Sequence, residues 1–444
     1  MILYLHIYLA ALVSVSSASE VGWLDDVSGT NKALYGTTMI NLASAWAVGE
    51  LDTVLKSDGT AWTPRETGLF YGNLGCTWFD VSFPEHCFPN PDYKPGRYAT
   101  YCTYTTGWVV GEHAIIAKTE DDGATWNEQS NFDFSKEPWL TATFHTVTLR
   151  AVQVTPRTVT LRAVQVTPRT VTLQAVQVTP RTVTLRAVQA ASIQTAYACG
   201  DNGTVLATFD GGGLWSALDT RVATGLHDLF FLSNSTGFAV GQGGVVIATE
   251  DFGLTWHLVT SEAFSAATLR AIKCWRNGYD WKWRTYEPGA GHSCFIVGRE
   301  GTILFSSDTG ATWTRQSACA EDADLYDVAF REGLSQGWAV GVEGIVCYTE
   351  DLGATWQAQV DKSDADHYAI DNVDHFDPVM VGDHGRIMSY YSLLPSSPHP
   401  SPPLMAPPHP FPRPPPPPPP PSPPPPSLHA SSPPSTPSAP PSAG

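Results

Sequence analysis

Six aspartates recur along this chain in one local frame, and paired-carboxylate hydrolysis is the first chemistry they suggest. Asp58, Asp121, Asp210, Asp251, Asp308 and Asp351 each sit in Ser/Thr-x-Asp-x-Gly-x-Thr-Trp or a near copy of it. Two carboxylates about 5–10 Å apart, contributed by distant units, could serve as acid and base in glycoside hydrolysis. The frame around them argues for a different job. A carboxylate two residues before a glycine accepts backbone N–H groups across a tight turn, and the glycine adopts the backbone conformation a Cβ would penalise. The Asp residues are therefore turn-holders, and the Trp that closes each frame, Trp62, Trp126, Trp215, Trp256, Trp313 or Trp356, opens the next strand. Four copies are complete. Thr208 to Trp215 carries Leu214 in place of the threonine, and Ser57 to Trp62 is shortened. No catalytic residue is assigned.

Other chemistry-bearing residues are fewer. An insertion holds Trp275, Arg276, Tyr279, Trp281, Trp283, Arg284 and Tyr286, and aromatics interleaved with arginine suit a protein hot spot or a sugar-stacking platform. The competing reading is that they pack the loop onto its own sheet. Cys274 and Cys294 bracket this insertion between neighbouring strands, so a disulfide is expected there, and two of Cys76, Cys87 and Cys102 are expected to staple a second long insertion. Eight cysteines without a Cys-x-x-Cys pair, and His113, His367, His375 and His384 without ligand spacing, give no metal site, and no cofactor is implied. Asn202 and Asn234 head Asn-x-Thr triplets open to N-glycosylation. Glu50, Glu112, Asp201 and Asp383 recur at one position after a Val-Gly or Cys-Gly pair and should ring one end of a central channel, as a solvated rim, a weak cation site or a dock for a basic protein.

These residues must be positioned by a repeated unit. Upstream of each Asp turn, and once more beyond the last of them, lies an apolar strand ending in glycine: Ala45 to Gly49, Gly107 to Gly111, Ala196 to Gly200, Gly237 to Gly241, Cys294 to Gly298, Gly337 to Gly341 and, with no Asp turn after it, Pro378 to Gly382. That makes seven units. The step of 41 residues from Trp215 to Trp256 and of 43 from Trp313 to Trp356 fits a four-stranded propeller blade. A seven-bladed, all-β propeller over 22–392 follows. The seventh unit lacks a closing Trp, whereas Gly22-Trp23 stands alone at the front, so the N-terminal segment should supply the last blade's outer strand and remove an exposed edge.

Three segments stand outside the ring. Residues 1–18 read as a secretory signal peptide. Residues 146–189 hold tandem copies of Thr-Val-Thr-Leu-Arg-Ala-Val-Gln-Val-Thr-Pro-Arg, whose core matches Thr268 to Ile272, an innermost strand; one copy should occupy the sheet and the others loop out. Residues 393–444 are Pro- and Ser-rich and cannot bury a core, so they form a disordered polyproline tail, either a spacer or ligand for Pro-binding modules or a hydroxyproline-rich, O-glycosylated wall anchor. No further stretch is apolar enough to span a bilayer. A formal net charge of −18 argues against nucleic acid and anionic membranes as partners.

The Val-Gly element with an Asp turn in unit after unit resembles the photosystem II stability/assembly factor family of cyanobacteria and plastids, across roughly residues 22–392. That resemblance implies a non-catalytic propeller that binds and chaperones a photosystem II reaction-centre subunit. The alternative partner is a cell-wall glycan, bound by a secreted adhesive or lectin-like propeller, and a sialidase-like glycoside hydrolase is the third reading. No sialidase Arg-Ile-Pro motif is present. The expected compartment is the secretory pathway or extracellular matrix, with the thylakoid lumen as the alternative.

Overall fold

The computed structural model describes residues 22–391 apart from 42, 72–73, 85, 90–99, 130–131, 134–148, 156–157, 164–175, 179–182, 234, 278, 281–284, 287–289, 321, 332–334, 361–363 and 373–376. The signal-peptide and Pro-tail readings, Asn234, Trp281, Trp283 and Arg284 lie outside the described residues. Seven antiparallel sheets stand in a ring, a seven-bladed β-propeller. Their innermost strands are Leu34–Asn41, Trp78–Ser82, Leu185–Ala190, Leu226–Phe231, Leu269–Arg276, Leu325–Phe330 and His367–Asp371, here numbered blades 1 to 7. In blade 7 the outer strand is Gly22–Asp26, which pairs antiparallel with Ile387–Tyr391 from Gly22↔Tyr391 to Asp26↔Ile387. Blade 3 gains a fifth strand, Phe132–Asp133, parallel to its outer strand Trp215–Ala217.

Two local devices recur. The second strand of each blade ends in glycine because the first strand begins against it: a Cβ at Gly49 would lie 2.0 Å from the Ala33 carbonyl oxygen, and one at Gly200 2.1 Å from that of Thr184. The innermost strand then carries a bulge at its first residues, between Leu34 and Gly36, Leu185 and Ala187, Leu226 and Asp228, Leu269 and Ala271, Leu325 and Asp327, and His367 and Ala369. A bulge re-aims the side chain left out of the ladder. The residues so released are Tyr35, Arg186, His227, Arg270, Tyr326 and Tyr368, and the shift between Val110 and Gly111 in blade 2, opposite Asp80 and Trp78, releases Phe79 in the same way.

The cores lie between neighbouring blades. Trp126 of blade 2 meets Trp46 of blade 1 edge-on at 6.0 Å, and Trp313 and Trp356 repeat this against Phe238 and Phe295. Each seam also has a polar or covalent clasp. Asp52 of blade 1 accepts the Trp78 indole N–H at 2.9 Å. Asp80, Asp228, Asp327 and Asp371 accept the backbone N–H of Val188, Ile272, Ile370 and Met39 in the following blade at 2.8–2.9 Å. Gln189 accepts from Phe231 N–H and donates to its carbonyl. The seam between blades 5 and 6 is crossed by a disulfide, Cys319–Cys347, and Cys274–Cys294 ties the first two strands of blade 5. Cys87 and Cys102 face each other in the register of a hairpin within the other insertion.

Candidate functional site

The Asp turns come first because they are the most repeated polar feature. In blade 4, Asp251 Oδ1 accepts Thr255 N–H at 2.8 Å and Thr249 Oγ1 at 2.9 Å, and Oδ2 accepts Thr255 Oγ1 at 2.7 Å. Asp121, Asp308 and Asp351 repeat this set, while Asp210 accepts Leu214 N–H and Thr208 Oγ1. Asp58 accepts from Thr60 and Ala61, and the Thr60 hydroxyl holds its carboxyl down at about 2. Such hydrogen bonds lower all six, so they stay ionised and engaged in their turns.

At the opposite end of the innermost strands the bulges aim seven half-buried side chains at the channel mouth. Four form an aromatic arc over blades 2, 1, 7 and 6: Phe79 lies 5.4 Å from Tyr35, Tyr35 5.0 Å from Tyr368, and Tyr368 5.3 Å from Tyr326. Arg186, His227 and Arg270 complete the ring over blades 3, 4 and 5 as a basic arc. The guanidinium carbon of Arg270 lies 5.5 Å from the Tyr326 ring centroid, which joins the arcs by a cation–π contact.

The acidic turn residues are partly consumed by this ring. Tyr35 donates its hydroxyl to Glu50 at 3.1 Å and Tyr368 donates to Asp383 at 3.0 Å. Arg186 donates Nε and Nη2 to Asp201 at 2.9 and 2.8 Å. Burial, reinforced by the bond to Glu50, pushes Tyr35 up to about 12. Burial, with Arg270 and Arg186 nearby, depresses His227 to about 4, so its imidazole is neutral at ordinary pH. Two polar atoms of the basic arc, Arg270 Nε and His227 Nε2, are buried with no hydrogen-bond partner among the described residues. A buried guanidinium N–H without an acceptor is a costly arrangement that an incoming carboxylate would relieve.

Behind the ring, Lys273 projects among Asp327, Asp371, Asp228 and Asp80 of the seams, and these charges hold its ammonium well above the ordinary lysine range despite desolvation. Desolvation raises Asp80 to about 8, Asp327 to about 7 and Asp228 to about 6, with Asp371 raised as well. Among the described residues no group of His, Cys, Asp or Glu is arranged to hold a metal ion.

The insertion residues singled out from sequence are divided. Trp275 stacks on Phe330 at 4.6 Å and on Phe295 at 5.7 Å, so it is packed onto the blade, whereas Arg276 is exposed. Both line a cavity of about 460 Å³ with Phe230, His292, Lys273 and Asp371. The backbone of Tyr279–Asp280 pairs with Thr285–Tyr286. Asn202 is exposed on a turn between strands, at φ 59°. Sequence reasoning missed the channel ring. Its signal was the repeated apolar, bulged, small-or-Asp triplet, as in Leu226-His227-Asp228 and Leu325-Tyr326-Asp327.

The fold has known counterparts. Two YCF48 propellers share it. One, described as YCF48 bound to D1 peptide, aligns with a TM-score of 0.55 and 18% identity over 85% of this chain and 100% of that chain. The other, YCF48 from Cyanidioschyzon merolae, gives 0.53 and 16% over 83% and 98%. The WD40 β-propeller domain of Doa1 gives 0.53 and 8% over 84% and 98%. No protein-family model matches the chain, and no curated protein matches it in sequence. At these identities the likeness speaks for the architecture. The disulfides Cys274–Cys294 and Cys319–Cys347 fit an oxidising compartment.

Proposed function

We propose that this propeller is a non-catalytic binding protein whose channel mouth receives a peptide segment of a protein partner, in the manner of a photosystem II assembly factor. The observation that carries the reading is the partnerless Arg270 Nε, buried beside a neutral His227 and facing an arc of four aromatic rings. That combination suits an extended peptide ending in a carboxylate: the basic arc takes the charge and the aromatic arc takes the apolar side chains. The shared architecture with a YCF48 propeller solved with a D1 peptide supports the same choice, and a reaction-centre subunit in an oxidising lumen is the partner it indicates. The turn and seam aspartates are engaged by N–H and O–H donors, which supports a structural rather than a hydrolytic use of them.

The test is titration of a D1 peptide with its terminal carboxylate free or amidated. Binding of the free acid, weakened about tenfold or more by Arg270→Gln, is expected, since a charge-assisted hydrogen bond contributes about 1.5–3 kcal/mol. Equal affinity for acid and amide, unaffected by Arg270→Gln, would overturn the assignment of the mouth. The aromatic arc also favours sugar stacking in an extracellular-matrix propeller. Localisation of a protein tagged ahead of the Pro tail separates the two: wall or medium favours glycan binding, the lumen favours assembly.

A further inference from the structure

The tandem repeats are spare copies of a ring strand, and blade 3 shows which copy the fold has used. Its innermost strand, Leu185–Ala190, takes all but its last residue from Val183 to Gln189, the fourth occurrence of Val-Thr-Leu-Arg-Ala-Val-Gln; the earlier ones are Val147 to Gln153, Val159 to Gln165 and, with Gln174 for arginine, Val171 to Gln177. Most of the contacts that seat the strand come from this shared stretch, and just past it Ala190 N–H donates to Ser82 Oγ at 3.0 Å, a backbone bond that the valine of the other copies could also make. The Val183 carbonyl accepts Ala114 N–H, Leu185 is fully buried, Arg186 binds Asp201, Val188 N–H donates to Asp80, and Gln189 clasps Phe231. The first copy is also a strand, Leu149–Thr155, and it is bulged between Leu149 and Ala151 as the seated copy is between Leu185 and Ala187.

We propose that the copies are interchangeable, so that blade 3 is a register switch in which an upstream copy can take the ring position. What favours the fourth copy lies just beyond the shared stretch. Ser192 N–H donates to the Thr195 carbonyl, and Ser192 Oγ accepts the N–H groups of Gln194 and Thr195, forming the turn into the second strand. The other copies carry proline at that position, which has no N–H to donate. Seating the first copy moves three repeats from before the strand to after it. They then leave from the Asp-turn end of the channel instead of the end lined by the aromatic and basic arcs. Seating the third copy puts Gln174 where Arg186 stands and removes a charge from the basic arc.

The experiment compares Leu185→Asp in the full chain and in a chain lacking 146–181, with amide hydrogen exchange read by mass spectrometry. In the full chain the variant is expected to keep cooperative unfolding, with protection lost from 183–190 and gained by peptides ending in Val-Thr-Pro-Arg. The shortened chain with the same substitution is expected to lose blade 3 protection altogether. Ser192→Pro in the full chain weakens only the turn and should divide protection between copies. The switch is overturned if full and shortened Leu185→Asp chains lose or keep protection alike, or if Ser192→Pro leaves protection wholly at 183–190.

Discussion

Leu214 stands where the complete Asp turns carry a threonine, and that single exchange shows what the turn residues do. Thr125, Thr255, Thr312 and Thr355 each donate a hydroxyl to the outer oxygen of the turn aspartate at 2.6–2.7 Å, whereas the Leu214 side chain is exposed and only its backbone N–H reaches Asp210. Leu214→Thr is therefore expected to add one charge-assisted bond and cover no new apolar surface. Denaturant unfolding should show a gain of about 0.5–1 kcal/mol after allowance for solvent competition at this exposed site. An unchanged midpoint would mean that the third bond contributes nothing to the turn. Residues of this kind were legible in sequence because their donors and acceptors lie within a few positions of one another. Arg270, His227 and Tyr326 were not, since their meaning depends on a ring assembled from blades far apart in the chain.

The innermost strand is the element in which these residues acquire a role. Its bulge sends one side chain to the mouth, and the next position, when it is aspartate, reaches the following blade. Asp80, Asp228 and Asp327 follow this rule in alternate blades, and Asp371 acts from two positions further along. Lys273 is the charge that makes four such carboxylates tolerable in one channel. Lys273→Met should leave them without that compensation and destabilise the ring by about 3 kcal/mol, the low end for removing one partner of an enclosed ion pair, with urea denaturation as the check. A loss below about 0.5 kcal/mol would show that channel water already neutralises the carboxylates. The strand pattern itself was legible, down to the outer strand of blade 7 supplied by Gly22–Asp26, because an apolar strand closing on glycine repeats seven times, six times as Val-Gly and once as Cys199-Gly200. The clasps were not legible. Cys319 and Cys347 lie in different units, and nothing in their spacing marks the seam that their disulfide closes.

For the whole molecule, the two carboxylate populations set opposite limits on stability with pH. The turn aspartates are depressed in the folded state, so their contribution is present above the unfolded value near 3.9 and is lost as pH falls through their folded values. The seam aspartates are raised, so the folded protein binds more protons than the unfolded chain between about pH 4 and 8, and their contribution is lost as pH rises through about 6, 7 and 8 for Asp228, Asp327 and Asp80. Lys273, also raised, adds stability that persists through this window and disappears only at strongly alkaline pH. The sum predicts a maximum on the acid side of neutrality. Chemical denaturation of the full chain should give a higher midpoint at pH 5 than at pH 8, and Asp327→Asn, which keeps an acceptor for Ile370 N–H but cannot ionise, should flatten the decline. A midpoint that is constant or rises between pH 5 and 8 would show that the channel carboxylates are ionised and solvated throughout.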